Sequence, residues 1–417
     1  MADSHPAFSP DGSRLAYASC SYSEVFRAGV GECDVFLVEL QTAGTVAGAP
    51  RQLTTQRSTL VNSLAWARDG SALIYSRFTQ PWLSYLWRVG ADGLRPPERI
   101  ELAGPNATAP AIALARDRLA FTRIAMDTDI YQFEVGHPAR LVTGSSFVEQ
   151  EPRLSPDGRR LAFGSARAGG DTVEIWVAEA DGSKPQQLTH GGRHRGSPFW
   201  SSDGRRIAFD SLDDDLHFHI WVVDADGGTP RRLTTQTTDD EIVPTWSHDG
   251  RWVYFSGGQG AARSIWRVPA TGGTPERVTR GFGGPFACES ADSRSLLFQT
   301  NSGDSPLMIM PLAGGDTRQL AACVKGGAFG AGVDGVYYVP CDPGVTRRWW
   351  PHAGASRSSD SPLHVMDLQT LHDRRLGILE GLRDRPLGLS VSPDGKRLVY
   401  PKQVVANADL MLIENFR

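Results

Sequence analysis

One repeated unit constrains the fold of this chain more than any other feature. Its clearest copy is residues 152–189, where Ser155-Pro156-Asp157-Gly158 separates a first short strand from a second. Proline presets φ for a tight turn, aspartate bonds to the backbone, and glycine accepts a left-handed conformation. A third strand at 173–179 and a fourth at 186–189 follow after further turn residues. This copy therefore predicts a meander of four antiparallel strands.

The middle strands of the unit are apolar at successive positions, as in LAF and IWVA, instead of alternating. Both faces of such a small sheet must be covered, which happens when each sheet packs between copies of itself. The chain contains nine copies, at residues 5–55, 64–100, 109–143, 148–189, 196–235, 242–280, 284–322, 327–379 and 386–417.

A repeat of about 46 residues is typical of one blade of a β-propeller. We therefore predict an all-β fold, a propeller of four-stranded antiparallel blades that occupies residues 1–417 as one body. The ninth copy lacks a closing fourth strand, so we expect eight or nine blades with the last one incomplete. The alternative is a division of the copies between rings, or a chain that is a piece of a longer protein.

Charge and hydropathy exclude some classes of partner. The formal net charge is −4, which argues against a basic surface for nucleic acid. No apolar run approaches the roughly 20 residues that span a membrane, so we expect no membrane insertion. The first residues, MADSHPAFSPDG, do not have the profile of a secretory signal.

Five cysteines are present, and their spacing is not that of a zinc site. Cys20 and Cys33 flank one long loop and can bridge it in an oxidising compartment. The alternative is that they are free, buried thiols.

The pattern P-x-W/F-S-P-D-G-x-x-[LI]-A-[FY], followed by [DE]-[IV]-[WF]-V and LT, resembles the WD40-like PD40 repeats of TolB-type propellers. The C-terminal stretch LGLSVSPDGKRLVYPKQVVANADLMLIENFR is similar to the end of bacterial winged-helix regulators that carry PD40 repeats. These resemblances imply a sensor or scaffold propeller that is periplasmic or otherwise extracytoplasmic in its full-length context.

Aromatic and basic residues are concentrated in two loops that we expect on one face of the propeller. In polar loops such side chains suit stacking on a sugar, peptide or protein surface, with arginine available for a carboxylate. The alternative for the longer loop is that it folds back into the central channel. The candidate binding residues are Arg347, Arg348, Trp349, Trp350 and His352, with Arg77, Phe78, Trp82 and Tyr85.

Histidines and acids in neighbouring loops form a second candidate site. If they converge, they can ligate a divalent metal, as histidines do in oligogalacturonate lyases, another PD40-type family. The alternative is that they are solvated loop residues. The candidate ligands are His190, His194, Asp213, Asp215 and His217, whereas we expect the strand residue His219 to be packed.

The function that these observations favour is a non-enzymatic propeller that binds a protein, peptide or glycan through its loop-rich face, without a cofactor. We expect the chain to be a monomer unless it is part of a larger protein. A metal-dependent, lyase-like carbohydrate enzyme centred on the histidines is the alternative. No G-x-S-x-G motif is present, so a hydrolase domain is not predicted.

Overall fold

The computed structural model describes all residues except 1, 23–30, 42–44, 56–59, 81–82, 169–171, 193, 216, 236–239, 259–262, 281–282, 285, 302, 342–358, 384–387 and 417. Over the described residues the regular structure is β-strand, apart from one short 3-10 helix at Glu101–Ala103. None of the described segments is a helix long and apolar enough to cross a membrane.

The chain divides into two compact units. The first includes the described residues of Met1–Met126 and Ala406–Arg417, and the second those of Asp127–Trp349 and Ser356–Val405. The strands that begin in the first unit are β1 Ala2–Phe8, β2 Arg14–Tyr22, β3 Gly31–Leu40, β4 Val46–Gln52, β5 Leu60–Trp66, β6 Ala72–Gln80, β7 Leu83–Gly90, β8 Glu98–Arg99, β9 Ala107–Ile112 and β10 Arg118–Glu134.

The remaining strands begin in the second unit. They are β11 Arg140–Thr143, β12 Glu149–Leu154, β13 Arg160–Ser165, β14 Glu174–Glu179, β15 Gln186–Gln187, β16 Arg195–Trp200, β17 Arg206–Leu212, β18 Phe218–Asp224, β19 Arg231–Arg232, β20 Glu241–Trp246, β21 Trp252–Gly257, β22 Ser264–Pro269, β23 Glu276–Arg277, β24 Ala287–Glu289, β25 Ser295–Gln299, β26 Ser305–Pro311, β27 Arg318–Gly332, β28 Gly335–Pro340, β29 Ser359–Met366, β30 Asp373–Leu382, β31 Ser390–Val391 and β32 Arg397–Glu414.

The predicted meander is present. Five copies form separate four-stranded sheets in sequence order: β1 to β4, β5 to β8, β12 to β15, β16 to β19 and β20 to β23. The turn between the first two strands forms as the sequence predicts. In the copy at 152–189, Asp157 Oδ1 accepts bonds from Ser155 Oγ at 2.6 Å and from the Arg159 amide at 3.1 Å, and Gly158 has φ 70°.

A bulge recurs in the first strand of six copies. The register shifts there, and one residue has a left-handed backbone, as at Ser197 with φ 51° and Val243 with φ 52°. A proline follows at five of the six positions, where it fits because proline in sheets is found at bulges. The left-handed residues are His5, Ser63, Ala109, Glu151, Ser197 and Val243.

Two long strands change the expected assignment of the third and ninth copies. β10 supplies residues 118–126 to the first unit and 127–134 to the second, and β32 supplies 397–405 to the second and 406–414 to the first. β32 lies beside β10 in the sheet order. In the second unit, β31, β32, β10 and β11 therefore make a four-stranded blade, so the ninth copy is completed by strands of the third. In the first unit, β9, β10 and β32 make a three-stranded blade.

The first strands of the second unit form a closed ring of six neighbours: β12, β16, β20, β24, β27 and β31. Hydrogen bonds close the ring at β31: the Leu154 amide donates to Ser390 Oγ at 2.9 Å, and the Leu389 amide donates to the Phe329 carbonyl at 2.9 Å. This exchange of strands between the third and ninth copies completes the last blade from inside the chain. The number of blades in the whole chain stays a prediction.

Neighbouring blades pack through the same residue types each time. Trp200 at the end of β16 is buried against the preceding blade, and its Nε1 donates to the Arg153 carbonyl at 2.9 Å. Arg160, at the start of the second strand of that preceding blade, lies 5.2 Å from the Trp200 ring. Trp66 and Arg14 repeat the arrangement in the first unit at 4.8 Å. The repeat tryptophans therefore pack between blades.

Two disulfides are present. Cys20 and Cys33 pair between β2 and β3, which confirms the bridge considered from the sequence. Cys323 and Cys341 form a second bridge that the sequence did not reveal. Cys288 is free and buried.

Candidate functional site

A carboxylate at the start of the third strand helps to hold two of the blades together. In the copy at 152–189, Glu174 accepts bonds from Thr189 Oγ1 at 2.5 Å, from the Gly192 amide at 2.9 Å and from Arg195 Nη1 at 3.1 Å. Thr189 Oγ1 in turn accepts the Ile175 amide at 3.0 Å. The first copy has the same arrangement, with Asp34 accepting Thr54 Oγ1 at 2.6 Å. The repeat motif of acid and threonine is therefore a hydrogen-bonded brace between the third and fourth strands.

The fifth copy departs from this pattern, because His219 occupies the position of the acid. Its ring is completely buried, with Nε2 2.9 Å from Asp215 Oδ2 and Nδ1 3.4 Å from Glu241 Oε2. Glu241 also accepts a hydrogen bond from Thr234 Oγ1. Burial by itself lowers the pKa of His219, but the hydrogen bonds to Glu241 and Asp215 outweigh burial and raise the pKa. An imidazole between two carboxylates thus takes the position of the acid in this copy.

The predicted histidine ligands have separate surroundings. His190 is exposed. His194 is buried and makes an edge-on contact with the Phe218 ring at 5.7 Å, and burial lowers its pKa to about 4. His217 Nδ1 lies 3.4 Å from Asp240 Oδ1.

The predicted acidic ligands also have partners of their own. Asp213 pairs with Arg232 at 3.4 Å, and Asp215 pairs with His219. Across the described residues, no group of three metal-ligating atoms within 4.8 Å of one another includes any of the five predicted ligands. The metal site at these residues remains a prediction.

The metal-ligating group that the structure does bring together is Asp127, Asp129 and Glu149, whose carboxylate oxygens lie within 4.8 Å of one another. Asp127 and Asp129 alternate along β10 and therefore point to one face. Burial raises the pKa of Asp129 to about 6, with Asp127 and Glu149 contributing, and it also raises the pKa of Asp127. Oδ1 of Asp127 and Oδ1 of Asp129 are buried and accept no hydrogen bond. Chemically, such a group can share a proton or bind a hard cation through oxygen.

Glu149 has structural bonds as well. It accepts Ser145 Oγ at 2.7 Å, Ser165 Oγ at 2.9 Å and Arg167 Nη2 at 3.1 Å. These bonds fix the carboxylate against its own blade, so the cluster also connects β12 to neighbouring strands. Sequence reasoning missed the cluster because two of its three members lie in the degenerate third copy, where the D-x-D of MDTDIYQ was the available signal.

Buried carboxylates also receive the amides of the bulges. The Ser197 amide donates to Glu151 Oε2, and the Val243 amide donates to Asp210 Oδ2 at 2.8 Å. Burial, with the nearby Glu151 charge, raises the pKa of Asp210 to about 7, and burial raises the pKa of Glu151. A Cβ on Gly196 would lie 3.0 Å from Glu151 Oε2, 3.2 Å from Asp210 Oδ1 and 3.6 Å from His194 Nε2. The three groups therefore surround a position that glycine leaves open.

The predicted aromatic loops are only partly described. The Arg77 guanidinium lies 4.9 Å from the Trp87 ring, and Arg99 lies 4.6 Å from the Tyr85 ring, so both contacts are within one blade. Phe78 is half-buried. Trp82, Arg347, Arg348, Trp349, Trp350 and His352 lie outside the described residues.

Comparison with known proteins relates part of the chain to other sequences. The PD40 family, described as TolB beta propeller domain, matches residues 192–328. The uncharacterized protein Atu1656 of Agrobacterium fabrum is 33% identical over 93 residues, which cover 22% of this chain and 31% of that protein. The uncharacterized peptidase YuxL of Bacillus subtilis is 40% identical over 57 residues, 14% of this chain and 8% of YuxL. The chain thus spans a minor part of the length of these relatives.

Three solved structures align with this chain to different extents. A structure titled putative TolB from Agrobacterium tumefaciens aligns with a TM-score of 0.54 at 20% identity, over 67% of this chain and 99% of that one. TolB from Acinetobacter baumannii aligns at 0.36 and 16% identity, over 74% and 65%. Oligogalacturonate lyase from Vibrio parahaemolyticus aligns at 0.43 and 14% identity, over 64% and 76%. Residues 192–328 thus match the PD40 family, and the alignment with the Agrobacterium tumefaciens structure shows that the chain has a β-propeller fold.

Proposed function

We propose that this chain is a non-enzymatic propeller that binds a protein, peptide or glycan partner through its loop-rich face. The observation that carries the proposal is that several acidic and histidine side chains are buried and bonded to other residues of the blades. Glu174, Glu241 and His219 are buried and bonded within or between blades, as Asp34 is in the first unit. A general acid or base must reach a substrate proton. We infer that these buried, hydrogen-bonded groups stabilise the packing of the blades instead.

We assign the partner surface to residues 77–85, which include the paired ends of β6 and β7, and to residues 341–363. Tryptophan and arginine side chains contribute most to binding energy at protein interfaces, and tryptophan also stacks on sugars. The net charge of −4 favours such partners over nucleic acid.

An extracytoplasmic location is part of the same proposal. Four of the five cysteines form disulfides, Cys20–Cys33 and Cys323–Cys341, and Cys288 is free. Disulfides persist in oxidising compartments. Labelling of the unreduced protein with a thiol reagent after unfolding tests this. One reactive cysteine per chain supports the proposal, and five contradict it.

The binding experiment compares three purified chains as immobilised baits against an extracytoplasmic protein extract and a glycan array. We expect a specific ligand for the wild type and for His190→Ala, and at least a tenfold weaker interaction for Trp349→Ala/Trp350→Ala. His190 is the matched control because it is exposed and belongs to the alternative site.

The competing metal-dependent lyase makes the opposite prediction. Metal-dependent cleavage of an acidic polysaccharide that His190→Ala and His194→Ala both abolish, and that the tryptophan variant retains, would contradict the binding proposal.

A further inference from the structure

The first unit ends in two blade faces that are exposed although their counterparts in other blades are buried. The first of these, which we call the head face, carries Phe8 at the end of β1, with a side chain 65% exposed. Its counterparts at the same repeat position, Trp66, Trp200 and Trp246, are 3–5% exposed because each packs against a preceding blade. Leu15 and Tyr17 lie on the same face and are half-buried, whereas Phe209, the counterpart of Tyr17, is completely buried.

The second, the tail face, belongs to the three-stranded blade of β9, β10 and β32. Leu410 is 82% exposed and Leu412 is 54% exposed. Their counterparts at the same positions of the third strand, Ile220 and Val222, are at most 2% exposed because the next blade covers them. Met411 and Ile413, which alternate with these leucines, pack inward against the second blade of the unit. The exposure is therefore confined to the side where a further blade would lie.

The two faces carry the residue types that pack against each other at the other blade interfaces. A buried aromatic residue at the position of Phe8 packs against two aliphatic residues at the positions of Leu410 and Leu412 in the preceding blade. Trp246, for example, packs against Ile220 and Val222. An arginine at the start of the second strand of the tail-side blade stacks on that aromatic, as Arg206 does on Trp246 at 4.7 Å. Arg118 occupies this position beside the tail face, with a side chain 40% exposed. It is thus placed to stack on an incoming Phe8.

We propose that two copies of this chain associate through their first units, the head face of each copy packing on the tail face of the other. Each first unit contributes three blades, so two copies would make six, the number of first strands that close the ring of the second unit. A two-fold axis relates the two contacts, so the association is closed and stops at the dimer. A second copy is the occupant because the chain itself carries both halves of the interface.

The test is sedimentation velocity of the full chain over a range of micromolar concentrations. We expect a reversible dimer. Phe8→Asp and Leu410→Lys/Leu412→Lys should each raise the dimer dissociation constant at least about 30-fold, since each places an unpaired charge in both contacts. Leu94→Lys is the control, because Leu94 is 83% exposed in a turn of the same unit, and it should leave the constant unchanged.

Mixing distinguishes this arrangement from any other dimer. A mixed pair of Phe8→Asp and Leu410→Lys/Leu412→Lys has one wild-type contact and one contact between opposite charges. The mixture should therefore dimerise although neither variant does so alone. A wild-type chain that stays monomeric, variants that dimerise normally, or a mixture that fails to dimerise would each overturn the proposal. Thermal melts of all variants, with the mutated side chains exposed, check that folding is intact.

Discussion

The two units are built from one repeat but differ in how their blades end. In the second unit, six first strands follow one another in a ring, and residues such as Trp200 and Ile220 are buried between blades. In the first unit, three blades end in Phe8 on one side and Leu410 on the other, both exposed. The comparison shows that each repeat supplies the side chains for packing between blades. Whether those side chains are buried depends on whether another blade packs against them.

The largest expected difference in stability is between alanine variants of two aromatic residues at the same repeat position. Trp200→Ala should lower the free energy of unfolding of the second unit by about 3–5 kcal/mol, because it removes a large side chain from a blade interface. Phe8→Ala should change the stability of the first unit by less than about 0.5 kcal/mol. Urea titrations, at a concentration low enough for the chain to be monomeric, measure both. Equal effects would refute the difference between the units.

A second pair tests the opposite side of the blade. Ile220→Ala should destabilise by about 2–5 kcal/mol, whereas Leu410→Ala should be nearly neutral in a monomer. The measurement is the shift of the urea midpoint at constant slope. A large loss for Leu410→Ala would mean that this residue is covered within a single chain.

The disulfides provide matched changes in the two units. The bridged cysteines are separated by 13 residues in one case and 18 in the other, so loop closure predicts similar losses of about 2–4 kcal/mol. Cys20→Ala/Cys33→Ala should weaken the first unit, and Cys323→Ala/Cys341→Ala the second. Hydrogen exchange followed by peptide mass spectrometry assigns the loss to a unit. A loss in the unit that was not mutated would contradict this assignment.

The smallest expected effect concerns pH and the buried carboxylate Asp210. Its pKa is raised from 3.8 to about 7, so the folded state holds a proton that the unfolded chain releases. The stability that this proton provides is complete below pH 3.8 and is lost as the pH rises to about 7.

Asp210→Asn cannot ionise and still accepts the Val243 amide. Its stability should therefore rise relative to that of the wild type between pH 4 and pH 7, as urea midpoints would show. Asp226→Asn is the control, since its carboxylate is exposed, and it should not change the pH dependence. The account fails at this site if the two variants behave alike.

The blades could be predicted because their turns and packing positions depend on residues that are close together in the sequence. The turn at Ser155-Pro156-Asp157-Gly158 and the packing of Trp200 follow from residue types at fixed spacing. The bulges were not predicted, since Ser197 and Val243 share no preference for a left-handed backbone, although the prolines after them were a signal.

The strand exchange could not be predicted, because the pairing of β10 with β32 joins segments far apart in the chain and depends on the whole ring. For the candidate site, the burial of His219 was predicted, but its two carboxylate partners were not. The cluster of Asp127, Asp129 and Glu149 was missed since it forms between two successive copies of the repeat, whose packing the sequence does not give.

The central proposal is that the histidines and acids of the second unit hold the blades together instead of ligating a catalytic metal. Elemental analysis of protein purified without added metal or chelator, repeated on His194→Ala, tests it most directly. The account predicts far less than one equivalent of transition metal per chain, unchanged in the variant. Close to one equivalent in the wild type, lost in His194→Ala, would contradict it and favour the lyase-like enzyme.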